Sequence, residues 1–161
     1  EDSTLSSIEA VPVAAHPAPR WYWSTLRPEI NAGYFICLNA SLSDAVPKGR
    51  LSPFPAVVRV LALEPPTGKE TSLGEASIEQ DGSFYIALPA DRPVRFELLN
   101  TSGQVIQRQQ SWIWARPGEE HGCVGCHEDR AVAPENRWPL ALRRFDTPIC
   151  LGVQAPLEAA H

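Results

Sequence analysis

From residue 33 the chain alternates. Tyr34, Ile36, Leu38, Ala40 and Leu42 interleave with Phe35, Cys37, Asn39 and Ser41, the period of a half-buried strand. Because the first set is the more uniformly apolar, this reading turns Cys37 toward the more polar face. A loop rich in Pro and Gly follows (Pro47, Gly49, Pro53, Pro55), then the β-branched run Ala56–Leu63, ended by Pro65-Pro66. Ser72–Ile78 reads as a further strand. Asp81-Gly82 is a hairpin signal between it and Ser83–Leu88, which Pro89 closes. Val94–Leu99, the turn Asn100-Thr101-Ser102-Gly103 and a strand from Val105 to about Trp114 complete the series. Strands separated by turns every 8–12 residues predict a mainly β protein, a β-sandwich.

The flanks read differently. Residues 1–32 form an extended N-terminal arm, because Pro12, Pro17, Pro19 and Pro28 hold the backbone out of helix. Trp21-Tyr22-Trp23 within it marks a docking segment, either onto the parent domain or onto a partner. Beyond Trp114 the periodicity fades. Pro134–Arg144 has room for one short helix, and Phe145–His161 reads as extended. The organisation expected is an arm over 1–32, a sandwich over 33–114, an irregular cofactor-binding segment over 115–145 packed on the sandwich, and a tail over 146–161.

Composition narrows the function. The 161 residues suit one domain with a real core, and the 43 % apolar content is ordinary for a globular protein. A net charge of −5 with no basic run argues against nucleic acid as a partner. No apolar stretch approaches the roughly 18 residues that a membrane span needs. The opening Glu1-Asp2-Ser3-Thr4 lacks a basic and apolar leader, so an exported protein is expected here in its mature form, without a lipid anchor on a first-position Cys.

The chemistry lies in Cys123-Val124-Gly125-Cys126-His127, a Cys-x-x-Cys-His sequence and the attachment signature of c-type haem. Two thiols at this spacing add to the two vinyl groups on one porphyrin edge, and the imidazole that follows lies beneath the iron. Gly122 and Gly125 ease the passage of backbone along that edge. The rival readings are a structural zinc site, for which a second Cys-x-x-Cys is missing, and a thioredoxin-type dithiol, for which the βαβ context is missing. One covalent haem c is therefore expected on Cys123 and Cys126, with His127 on the iron. Arg116 and Arg130 are candidates to pair with haem propionates, as is Arg137; their alternative is a solvated surface. Trp114, with Trp112 and Trp138, is a candidate wall of the pocket or an ordinary packing residue.

The chain has no Met, so the sixth iron position falls to His16 in the arm, to Cys37, or to water. His121 stands too close to Cys123 to reach the far face easily, and His161 is terminal. Cys37 and Cys150 are the two cysteines left over, and a disulfide between them is expected in an oxidising compartment. These features predict a monohaem cytochrome for electron transfer, with redox-protein partners, in a larger periplasmic or extracellular assembly docked through the arm. The alternative is an open-site haem that binds or transforms a small ligand.

Ser111-Trp112-Ile113-Trp114, Arg116-Pro117-Gly118-Glu119-Glu120, Gly122 to Glu128 and Pro134-Glu135-Asn136 resemble proteins related to the hydrazine synthase alpha subunit, in particular its haem-bearing middle domain. The likeness extends over roughly residues 30–145, including Gly33-Tyr34 to Asp44. Separately, Asp81-Gly82-Ser83-Phe84-Tyr85 and Leu88-Pro89-Ala90-Asp91, within Gly74–Leu99, are similar to transthyretin-like and carboxypeptidase-regulatory sandwiches. The first resemblance implies a haem c domain. In that family the catalytic haem takes a Tyr ligand shortly after the motif; no Tyr follows Tyr85 here, so that ligation does not carry over. The resemblance thus bears on fold and cofactor more than on activity.

Overall fold

A computed structural model describes residues 26–46, 49–126 and 135–153. The arm residues His16 and Trp21-Tyr22-Trp23, the motif's His127, and Arg130 lie outside the described residues. Eight strands and one short 3-10 helix follow in chain order: β1 (Ala32–Cys37), β2 (Val57–Glu64), β3 (Lys69–Ser77), β4 (Phe84–Pro89), β5 (Val94–Leu99), β6 (Val105–Arg108), β7 (Glu120–Cys123), the 3-10 turn Leu140–Arg143, and β8 (Ile149–Cys150). They form two four-stranded sheets, ordered β7-β1-β4-β8 and β3-β2-β5-β6. The protein is mainly β, as the alternation predicts, and the sheets face each other as a sandwich.

The second sheet is antiparallel throughout and contains most of the β-branched sequence. The first is mixed. β1 and β4 pair antiparallel, and each takes a parallel strand on its free edge, β7 on β1 and β8 on β4. Phe35, Cys37, Phe84, Ile86 and Leu88 of the first sheet meet Val58, Val60, Val94, Phe96 and Leu98 of the second in one core. Phe96 is the centre of contact, edge-on to Phe35 at 5.4 Å and to Phe84 at 6.0 Å between ring centroids.

Two local expectations change. Cys37 is 2 % exposed and faces the core with Phe35, while Tyr34 and Ile36 take the outer face. The strand has the expected period with the opposite face inward. Its outer face is itself half-covered, which is why both sets read as apolar. The strand expected from Val105 to Trp114 ends at Arg108; beyond it the Gln109 amide still donates to the Phe96 carbonyl, and Ile113 bridges to Val94. Within the segments expected to be irregular or extended, β7 and β8 join the first sheet.

Candidate functional site

The loop carrying the two motif cysteines is fixed from one side by residues 38–42. The Leu38 amide donates to the Cys123 carbonyl at 2.9 Å, and the Asn39 amide to the Val124 carbonyl at 3.0 Å. The Cys126 amide donates to the Leu42 carbonyl at 2.9 Å. Each of these three bonds is backbone to backbone, so they hold the loop's path without calling on a side chain. Asn39 is buried, and its Oδ1 accepts from the Ser41 amide and hydroxyl, which holds this supporting turn in shape.

The turn Asp81-Gly82-Ser83 supports it from beneath. Gly82 has φ +86°, and a Cβ there would lie 2.2 Å from Asn39 Oδ1, so the position requires Gly twice over. Its carbonyl accepts from the Ala40 amide at 2.8 Å. The Asp81 carboxylate accepts from the Ser83 hydroxyl at 2.6 Å, the Ser83 amide at 2.9 Å and the Leu140 amide at 2.9 Å. Burial alone would raise the Asp81 pKa; these bonds and the nearby Arg137 outweigh it and hold the carboxyl below its ordinary value. Ser83 Oγ in turn accepts from the Ala141 amide at 3.0 Å. One turn thus anchors both the loop that receives the motif and the short helix that follows it.

Cys123 and Cys126 line an apolar cavity of about 310 Å³ between the sheets. Its wall includes Phe35, Phe84, Phe96, Leu98 and Ile113, and the amide of Gln109 supplies a polar group. Gln109 Oε1 accepts from the Phe96 amide at 3.3 Å, which orients that amide. The volume falls at the lower end of the roughly 300–1,000 Å³ typical of ligand sites. Two thiols with two residues between them on one apolar wall suit covalent attachment of a flat apolar ring. Among the described residues, no group of three or more His, Cys, Asp or Glu side chains is arranged to hold a metal ion by itself.

The remaining sequence candidates sit elsewhere. Trp114 is 56 % exposed and outside the cavity lining, and Trp138 is also exposed. Trp112 lies beneath the Arg95 guanidinium, 4.6 Å from the ring centroid. The aromatic wall is built from Phe35, Phe84 and Phe96, whose strand spacing identifies them as core residues and not as cavity residues. The Arg116 amide donates to Glu119 at 2.7 Å, closing a tight turn before β7. Arg137 is engaged by Glu135 at 2.8 Å and by the Asp81 carbonyl at 3.0 Å. His121 shares the inner face of β7 with Cys123. Its ring stacks on Phe35 at 5.2 Å, and its Nε2 lies 3.3 Å from Glu119 Oε1.

The Cys37–Cys150 disulfide is not formed, and register explains why. Cys37 is opposite Phe84, and Cys150 is opposite Ala87, across the intervening β4. Two strand spacings and three residues of offset separate their Cα atoms by about 14 Å, with side chains on opposite faces. A disulfide tolerates no more than about 7 Å. Cys37 instead lines the cavity, in register with Cys123 on the neighbouring strand.

The site therefore defines a class: a β-sandwich with a Cys-x-x-Cys loop laid along an apolar cavity. The family model described as the hydrazine synthase alpha subunit middle domain matches residues 59–128, which include the whole Cys-x-x-Cys-His motif. In three dimensions the chain is similar to a chain of Kuenenia stuttgartiensis Hydrazine Synthase, with a TM-score of 0.58 and 22 % sequence identity. That likeness covers 71 % of this chain and 20 % of the other, so the chain spans about a fifth of the protein it matches. No curated protein matches it in sequence. The resemblance to the hydrazine synthase alpha middle domain thus holds in sequence and in fold. No helix among the described residues is long and apolar enough to cross a membrane.

Proposed function

We propose that the chain is a c-type haem domain for electron transfer, working within a larger exported redox assembly. The observation that carries this reading is the placement of both motif thiols, Cys123 and Cys126, on the wall of one apolar cavity. Cys123 and Cys126 would hold the haem through thioether bonds, each made by adding an S–H across a vinyl group, which needs no external oxidant. His127, which follows directly in the sequence, would hold the iron. The bound haem supplies a one-electron iron couple. Phe35, Phe84, Phe96 and Leu98, which line the cavity, would exclude water from the ring and limit the rearrangement that accompanies each electron.

In this reading His16 would be the second residue to hold the iron. Pro17 and Pro19 beside it would reduce the entropy lost on ordering, and Trp21, Tyr22 and Trp23 would provide apolar anchorage. Arg116 and Arg130 would pair with the propionates. The likeness to one part of a far longer hydrazine synthase chain supports docking into an assembly with redox-protein partners. Export to the periplasm or beyond fits the requirements of haem c attachment.

The test is spectroscopic. Chain produced together with a haem c attachment system should keep its colour through acid–acetone extraction, with a pyridine haemochrome of two thioethers. His127→Ala should lose or grossly alter that spectrum. By EPR the parent should be low-spin, and His16→Ala should turn high-spin and bind carbon monoxide. Colour leaving with the solvent defeats the haem reading. A parent already high-spin favours the second reading, an open small-ligand site in which the oriented Gln109 amide offers a hydrogen bond inside the cavity.

A further inference from the structure

Three cysteines line the cavity, and haem attachment uses two. Cys37, at the end of β1, is the direct register partner of Cys123, at the end of β7, on adjacent parallel strands. Register partners point to the same face, here the inner one, and both thiols line the same cavity. Neighbouring strands run about 4.8 Å apart. That lies within the roughly 4.4–6.8 Å between Cα atoms that a disulfide spans. The bond from the Leu38 amide to the Cys123 carbonyl holds the two strand ends together at this point. Their exposure differs. Cys37 is 2 % exposed, whereas Cys123 is only partly buried.

We propose that Cys37 and Cys123 form a cross-strand disulfide in the haem-free chain. Cys123, the more accessible thiol, attacks an organic disulfide such as oxidised glutathione. A Cys123–glutathione S–S bond forms, the glutathione S–S bond breaks, and one glutathione thiol leaves with the Cys123 proton. Cys37 then attacks the Cys123 sulfur from within the cavity. The Cys37–Cys123 bond forms, and the second glutathione leaves with the Cys37 proton. Two protein thiols are oxidised by two electrons, and one organic disulfide is reduced to two thiols. The S–S bond stands on strand geometry alone. Its consequence, which rests on the haem reading, is that the bonded Cys123 cannot add to a vinyl group, so attachment waits for a reductant.

The competing pair is Cys123–Cys126, so the decisive chain is full-length Cys126→Ala, prepared without haem. It is treated with oxidised glutathione, blocked with N-ethylmaleimide and mapped by mass spectrometry without reduction. The Cys37 and Cys123 peptides should be joined, with the loss of two hydrogens, and Cys37→Ala should abolish the product. Glutathione persisting on Cys123 while Cys37 takes up the maleimide overturns the proposal. If Cys126→Ala does not fold, as circular dichroism will show, the parent decides: a Cys37–Cys123 link supports the proposal, and exclusive Cys123–Cys126 pairing defeats it. Ferrous haem is then added to oxidised and pre-reduced samples. Covalent haem on the reduced sample alone supports the block, and retention by both refutes it. Release by both defeats the haem reading while leaving the mapped disulfide intact.

Discussion

At the scale of single residues, the most consequential side chain outside the cavity is Asp81. Its carboxylate joins the β3–β4 turn to the short helix at Leu140–Arg143 through bonds that need the ionised form. The folded pKa lies below the unfolded value, so this contribution is complete above the unfolded pKa, near 3.8, and is lost as pH falls through the folded one. Asp81→Asn should therefore lower stability at neutral pH, by about 1–3 kcal/mol for lost bonds to a charged group. It should also flatten the acid limb of a stability–pH curve measured by urea unfolding; a variant whose acid limb matches the parent would contradict this. Gly82→Ala should destabilise as well, since its new methyl meets Asn39 in a backbone region that disfavours Cβ. The Asp81-Gly82 turn was legible in sequence because turn chemistry is local. The inward face of Cys37 was not, because Tyr34 and Ile36 are as apolar as Phe35 and Cys37, and period alone does not say which face meets the second sheet.

Among elements, β7 shows where local reading stops. Glu120-His121-Gly122-Cys123 has no β-branched residue and no alternation of polarity, and it becomes a strand because β1 offers it an edge. β8 has only two residues and rests likewise on β4. By contrast β2, β4 and β5 have their own β-branched and aromatic sequence and fall close to where the pattern puts them. The edge position of β7 has a lateral tie. The Tyr85 hydroxyl, on β4, reaches past β1 to donate to Glu120 at 2.9 Å. Burial foremost, then Glu120, raises the Tyr85 pKa above its ordinary value of 10. The neutral phenol is the favoured form, so this stabilisation is full below pH 10 and is lost as pH rises through the folded pKa. In a spectrophotometric titration Tyr85 should ionise late, and Glu120→Gln should bring it part of the way back. Tyr85→Phe should cost about 1 kcal/mol and speed amide exchange at Leu38, whose bond to Cys123 depends on β7 staying docked. Unchanged exchange at Leu38 would show that the tie does not hold the strand.

Across the whole molecule, stability and the proposed haem attachment rest on different parts of the structure. The two sheets are joined through aromatic packing, with Phe96 of the second sheet set edge-on against Phe35 and Phe84 of the first. The Cys123–Cys126 loop is instead held within one sheet and its margin, by backbone bonds to residues 38–42. Removing the Phe96 ring should therefore weaken the sandwich without displacing the thiols. Phe96→Ala creates a void contiguous with a cavity that already exists, so little collapse can compensate, and the loss should approach about 3–5 kcal/mol. On the proposed haem reading, the covalent yield of haem in the folded fraction should remain that of the parent, because Cys123 and Cys126 keep their positions. The enlarged, wetter cavity should shift the haem absorption bands and the midpoint potential, since water then reaches the ring. Urea unfolding, acid–acetone extraction and a redox titration of the same preparation separate these effects. A folded Phe96→Ala chain that no longer binds haem covalently would show that the aromatic wall, and not the backbone of residues 38–42, positions the thiols.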